Sequence, residues 1–206
     1  MTGRRGATAG GGAAGGATAG GATAGGATAG GAAGAAATLV AALGERCHTL
    51  AVAESLTGGL LAAALVDVPG ASRVFRGGLV VYAGDLKVRL AGVPAELIAE
   101  RGTVDPDVAA ALADGVRERC AADWGLGTTG VAGPDPLDGA PVGTVYVACA
   151  GPDGTRVRAL HLPGDRAAIR RAAVDAALDL LAARLRAGAG QPDPGQAAPG
   201  QAAASA

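Results

Sequence analysis

Large apolar side chains are scarce in this sequence, and that scarcity constrains its fold more than any single motif does. Half of the residues are hydrophobic, yet only 2% are aromatic: one Trp, one Phe and two Tyr. A core of Ala, Val and Leu buries little area per residue. It can close only where helices and sheet come into near-backbone contact. A length of 206 residues suits one such domain with tails.

The tails are recognisable by composition. Residues 6–34 form a decaying five-residue repeat, with GATAG at 6–10, 16–20, 21–25 and 26–30. Ordering such a segment costs backbone entropy and buries almost nothing in return. The far end is rich in Pro, Gly, Gln and Ala. Residues 1–34 and 187–206 are therefore expected to be disordered tails around a domain at 35–186.

Within that domain, helical and strand patterns alternate. Ala35–Arg46 carries Leu39, Ala42 and Leu43 at helical spacing. Strands are expected at Thr49–Ala53, Gly78–Tyr82 and Trp124–Thr128, and a hairpin at Thr144–Ala150 and Arg156–Leu162 around Gly151–Gly154. Helices are expected at Leu60–Val66, Asp85–Leu90, Pro94–Arg101 and Arg166–Arg186, with one more from an Asp105 cap to Ala121. Strands alternating with helices imply a mixed, mostly parallel sheet covered on both faces. Ligands of such sheets sit beyond the carboxyl ends of the strands. Segments 54–59, 82–87 and 128–134 end there, and they hold most of the unusual polar residues.

Bulk charge excludes some functions. A formal net charge of -1 offers no basic footprint for nucleic acid. No run of 18 apolar residues argues for a membrane span, and no secretory signal is apparent. Cys47, Cys120 and Cys149 are odd in number and lack a C-x-x-C pair, so a disulfide framework is not expected. Cys47–His48 and the isolated His161 make no metal-ligand pattern, and no metal is expected. The expected location is the cytoplasm.

Three segments could carry chemistry. In Glu54-Ser55-Leu56-Thr57-Gly58-Gly59, a serine sits on a strand-to-helix turn with helix-start N–H groups beside it, a setting suited to an oxyanion or a phosphate. It is neither a G-x-S-x-G elbow nor a Walker A loop, and taken alone it also fits a plain capping serine with packing glycines. A second segment holds Tyr82 and Lys87. Of the 17 basic side chains, Lys87 is the one lysine. Arginine cannot lose its proton near neutral pH, whereas a desolvated lysine can. Lys87 could thus serve Ser55 as base, with the Tyr82 hydroxyl as relay. The third segment, Thr128–Asp135, places Thr129 and Gly130 where backbone and hydroxyl can approach a ligand. Arg166, Arg170 and Arg171 open the last helix, and one of them could hold a substrate phosphate.

Together, AESLTGG at 53–59, VVYAGDLK at 80–87, TGVAGPD at 129–135 and PVGTVYVA at 141–148 resemble the CinA C-terminal family, the nicotinamide-nucleotide amidases. The resemblance runs from about Leu39 to Leu185, and residues 1–34 are expected to form no counterpart of the N-terminal domain of longer CinA proteins. It implies a three-layer α/β/α sandwich and hydrolysis of nicotinamide mononucleotide to nicotinic acid mononucleotide and ammonia, within pyridine nucleotide salvage. It implies Ser55 as nucleophile, Tyr82 and Lys87 as the activating pair, and Thr129 and Arg166 at the substrate. Backbone at Thr57, Gly58, Gly59 and Gly130 completes the expected binding set. No cofactor is implied, and a homodimer is. Pro136-Leu137-Asp138-Gly139 departs from the family pattern, as does Thr103-Val104-Asp105. A non-catalytic nucleotide-binding or regulatory module, and a serine amidase for another small amide, stand as alternatives.

Overall fold

The computed structural model describes residues 31–188. The order of elements is α1 (Ala32–Glu45), β1 (Leu50–Glu54), α2 (Leu60–Val66), a 3-10 turn (Ala71–Arg73), β2 (Phe75–Val80), α3 (Gly84–Ala91), α4 (Ala95–Arg101), α5 (Pro106–Arg119), β3 (Trp124–Gly130), β4 (Thr144–Gly151), β5 (Gly154–His161) and α6 (Arg166–Gly188). Helix α1 begins three residues inside the stretch assigned from sequence to a tail, and α6 runs two residues past Arg186. The expected disorder of 1–30 and 189–206 lies outside the described residues.

The five strands lie in the order β2-β1-β3-β4-β5. Strand β1 pairs in parallel with both β2 and β3, while β3–β4 and β4–β5 are antiparallel. Every residue of the interior strand β1 is buried, as its apolar run Leu50–Ala53 predicts. The two sheet faces are covered differently. Leu39, Leu43, Leu61, Leu65, Leu178 and Leu181 from α1, α2 and α6 pack on Val52, Leu126 and Val147. On the opposite face, α3 and α5 bring Ala91, Leu112 and Val116 to Ala51, Ala53 and Val81, with Leu97 and Ile98 of α4 packed against them. Beside them Ala109 and Ala113 of α5 meet Ala148 and Ala150 of β4. The result is an α/β/α sandwich.

The small-residue face answers the shortage of large side chains. A Cβ added at Gly125 or Gly127 of β3 would overlap the carbonyls of Ala113 and Ala109, and one at Gly115 would overlap the carbonyl of Ala91. Helix α5 therefore rests directly on strand backbone. Its start is fixed locally, because the Asp105 carboxylate accepts the Asp107 N–H at 2.8 Å and Pro106 follows as the first helical residue.

Strand β2 departs from the expected Gly78–Tyr82. It begins at Phe75, and Tyr82 lies beyond it. As an edge strand it alternates half-buried and exposed residues, so Arg76 and Gly77 are tolerated. Gly78 packs against Val52 and Ala62, where a Cβ would come within 2.9 Å of Val52 Cγ2. Strand β3 extends past Thr128 because β4 continues alongside it, pairing Thr129 with Tyr146 and Gly130 with Val145.

Candidate active site

Three chain segments converge beyond the carboxyl ends of β1 and β3. The turn from β1 to α2 carries Ser55. Two consecutive left-handed glycines, Gly58 (φ 59°) and Gly59 (φ 94°), make this turn possible. Beneath it lies Glu54, 1% exposed. Its carboxylate accepts the backbone N–H groups of Gly59 (2.9 Å), Leu61 (3.1 Å) and Ala62 (2.8 Å), capping α2 from within the protein.

Lys87 lies on α3 and is 1% exposed, the largest of the fully buried side chains. Its Nζ stands 3.0 Å from Ser55 Oγ, 2.8 Å from the Val81 carbonyl oxygen and 3.1 Å from that of Tyr82. Burial pulls its pKa down from 10.5 to about 8, against the opposing pull of the Asp138 carboxylate. The carbonyls can only accept, so they claim two N–H bonds. A neutral amine has two N–H groups and one lone pair. The third direction, toward Ser55 Oγ, is then where the lone pair of a neutral Lys87 lies.

Tyr82 does not occupy the expected place between these two. Its side chain is 58% exposed, and its hydroxyl accepts from Arg166 Nη2 at 2.8 Å. Lys87 reaches Ser55 directly, so a tyrosine relay is superfluous. Tyr82 supplies its backbone carbonyl to Lys87 and its ring to the mouth of the cleft.

The cleft has a volume of about 280 Å³ and includes Ser55, Leu56, Tyr82, Thr129, Gly130 and Arg166 in its walls. Arg166 also donates to the Gly133 carbonyl at 2.7 Å. Thr129 is anchored, its hydroxyl donating to the Thr103 carbonyl at 2.6 Å. The segment Pro134–Leu137 forms another wall. Behind it Asp138 accepts from the Thr103 N–H and hydroxyl at 2.8 and 2.9 Å.

The expected use of Thr57, Gly58 and Gly59 needs correction. None of them lines the cleft. The Gly59 N–H is held by Glu54, and the Gly58 N–H by the Ser55 carbonyl at 3.1 Å. The Thr57 hydroxyl is buried against that of Thr128, 2.9 Å away. Within the described residues, the turn N–H groups without a hydrogen-bond partner are those of Leu56 and Thr57. Sequence reasoning also passed over Glu54. An acid just before a helix start was the available signal.

The other titratable candidates lie elsewhere. His48 accepts the Trp124 Nε1–H at 3.2 Å near the amino end of β3, and His161 ends β5. The described residues contain no cluster of three or more His, Cys, Asp or Glu able to hold a metal ion. None of their helices is long and apolar enough to cross a membrane.

A mixed sheet with a serine and a buried lysine paired beyond its carboxyl edge defines the class: an α/β protein with its candidate site at the strand ends. The model of the CinA C-terminal domain matches residues 32–185, and the chain belongs to that family. It is 57% identical over 139 residues to a CinA-like protein of Frankia casuarinae, a match covering 68% of this chain and 32% of that one. A putative competence-damage inducible protein of a Geobacillus species is 52% identical over 132 residues, covering 64% and 32%. The chain thus spans about a third of the length of these curated relatives. Among solved structures, competence/damage inducible protein CihA of Agrobacterium tumefaciens superposes with a TM-score of 0.72 at 32% identity, covering 75% of this chain and 95% of that one. A CinA superfamily protein of Escherichia coli gives 0.71 at 30% identity, covering 73% and 88%.

Proposed function

We propose that this domain is a serine amidohydrolase that converts nicotinamide mononucleotide and water to nicotinic acid mononucleotide and ammonia. The observation that carries this reading is the 3.0 Å approach of a buried Lys87 to Ser55 Oγ. Neutral Lys87 takes the Ser55 proton as Oγ attacks the carboxamide carbon. The resulting oxyanion is offered the unpaired N–H of Leu56, the turn residue next to Ser55 that lines the cleft. The C–N bond breaks, and the Lys87 ammonium returns the proton to the departing nitrogen, which leaves as ammonia. Water, deprotonated in turn by Lys87, attacks the acyl-Ser55 ester. The carboxylic acid departs and Ser55 regains its proton.

The substrate follows from the family resemblance and from the charge at the mouth. Arg166, held by Tyr82 and Gly133, offers a fixed guanidinium to a phosphate. Thr129 and Gly130 line the same cleft as that cation and Ser55 and offer a wall to the ribose and ring. One observation favours a second reading, a different small amide. The segment Pro134–Leu137, part of whose sequence departs from the family pattern, forms a wall of the cleft.

Ammonia release from nicotinamide mononucleotide by purified protein, with Ser55→Ala alongside, tests the proposal. Release by wild type and a loss of at least about a thousandfold in the variant are expected. Equal release by both would remove Ser55 from the chemistry. Release from another amide but not from this nucleotide would select the second reading. Binding of the nucleotide without any turnover would point to a regulatory module.

A further inference from the structure

We infer that Asp138 is a positioning residue that ties the segment 134–140 down as a wall of the cleft, and so sets how tightly a nucleotide amide is held there. The inference rests on the amidohydrolase reading proposed above and adds to it a determinant of substrate fit. Leu137 and Ala140 pair across an antiparallel bridge. The Ala140 N–H donates to the Leu137 carbonyl at 2.8 Å, and the Leu137 N–H donates to that of Ala140 at 3.2 Å. Asp138 and Gly139 fill the two positions between them, both with left-handed backbone (φ 50° and 76°). That is the tight hairpin turn that an Asp-Gly pair favours.

The tip of this hairpin is fastened to another wall of the same cleft. One oxygen of the Asp138 carboxylate accepts both the Thr103 N–H (2.8 Å) and the Thr103 hydroxyl (2.9 Å). The Thr103 carbonyl in turn accepts the Thr129 hydroxyl at 2.6 Å. Gly102, at φ 75°, permits the approach, since a Cβ there would lie 2.9 Å from Asp138 Cβ. Thr103, Thr129, Pro136 and Leu137 all line the cleft together with Ser55. At the base of the segment, Arg166 donates to the Gly133 carbonyl at 2.7 Å. Among the described residues, the side-chain hydrogen bonds that hold 134–140 itself are those of Asp138. The two segments that depart from the family pattern, 103–105 and 136–139, are the ones this tie joins.

A wall fixed before the substrate arrives costs no ordering at binding, whereas a loose one must be ordered out of the binding energy itself. Loss of the tie therefore belongs in KM. Lys87 keeps its place through the Val81 and Tyr82 carbonyls, neither of which depends on Asp138. Leu137, 49% exposed, gives the wall an apolar side chain to offer a bound ring.

Asp138→Gly removes the carboxylate and still suits the turn, while Asp138→Asn keeps an acceptor oxygen there. Asp138 is exposed, so neither variant disturbs the core. Its charge also raises the Lys87 pKa, so rates are compared at about pH 9, where the amine is largely neutral with or without it. With nicotinamide mononucleotide, Asp138→Gly should raise KM roughly 10-fold and leave kcat within about twofold of wild type. Asp138→Asn should bring KM back to within about threefold. Ser55-dependent acylation by p-nitrophenyl acetate reports the Ser55–Lys87 pair without the wall, and should stay within about twofold in both variants. Hydrogen exchange of the Thr103 amide should quicken in Asp138→Gly and not in Asp138→Asn. An unchanged KM in Asp138→Gly, an equal loss in ester acylation, no rescue by asparagine, or an unchanged Thr103 amide would each overturn the role assigned to Asp138. Absence of turnover by wild type would instead sink the amidohydrolase reading. The role of Asp138 would then be decided by the Kd of the nucleotide from calorimetry, with the same weakening expected in Asp138→Gly. Equal Kd in the two proteins, or no binding by wild type, would overturn it.

Discussion

Two cations are buried at opposite ends of this sheet, and they are held in opposite ways. Arg184 of α6, 7% exposed, lies against the amino end of β3. It stacks 5.1 Å above the Trp124 ring, donates to the Cys149 carbonyl, and pairs with Asp153 in the β4–β5 turn. Its charge is met by a carboxylate, a π face and a carbonyl. Lys87, at the carboxyl end, has two carbonyls and a hydroxyl but no carboxylate in contact. Dipoles alone compensate a buried ammonium poorly, and its pKa falls accordingly. The lesson is that burial frees a cation to give up its proton only where the residue is a lysine and no carboxylate stands beside it, whereas a paired arginine fastens the fold.

The comparison breaks most sharply at Lys87. Replacing it by Arg, or by Met of similar length, should lower amide turnover by on the order of ten-thousandfold, because neither can accept the Ser55 proton. Circular dichroism should show both variants folded. Turnover within tenfold of wild type in either would mean that another group is the base.

pH should separate the two cations next. Protonated Lys87 cannot act as base, so kcat/KM should rise about tenfold per unit below pH 8 and level off above it. Stability carries the same signature. Below about pH 8 both folded and unfolded chains hold the Lys87 proton, and the full cost of burying it is present. Between there and 10.5 only the unfolded chain holds it, so stability rises with pH. Measured against Lys87→Met by denaturant unfolding, wild type should gain about 3 kcal/mol from pH 7 to pH 11. No such gain would place the lysine in a wetter site than the fold provides.

Arg184 should give the smallest effect and a purely structural one. Arg184→Met leaves the Cys149 carbonyl without its donor and Asp153 without its partner, and should cost about 2 kcal/mol of stability with kcat unchanged. The cost is bounded because Asp153 is exposed and regains water. A fall in kcat without a fall in melting temperature would contradict the division of labour.

Much of the fold was legible because local signals agreed with packing. The Asp105 cap marked the start of α5, and Leu60–Val66 was read as α2 with the bounds the fold gives it. The start of β2 was missed because Arg76 and Gly77 carry no strand propensity. Their strand conformation comes from pairing with β1, a tertiary effect. In the site, Ser55 and Lys87 were legible as a serine on a turn and a lone lysine among arginines. What could not be read was direction. The sequence brought Tyr82 near Lys87 but could not reveal that its carbonyl, not its hydroxyl, faces the amine. Likewise it could not reveal that the helix-start N–H groups are taken by Glu54, or which of the three α6 arginines turns inward to the Ser55 loop. Those depend on backbone rotations of a few residues, for which periodicity carries no information.

The contact of α5 with bare backbone has a mechanical consequence. Packed side chains yield to stress by exchanging rotamers, whereas a seam of glycine against carbonyl has no rotamers to exchange. Gly125 and Gly127 join α5 to the strand that carries Thr129, and Gly115 joins it to the end of the helix that carries Lys87. The helix that carries Lys87 and the strand that carries Thr129 thus share one backbone-to-backbone mount. Moving α3 relative to β3 therefore requires displacing a 14-residue helix rather than rotating side chains between them. A domain assembled from the smallest residues gains in stiffness what it lacks in bulk.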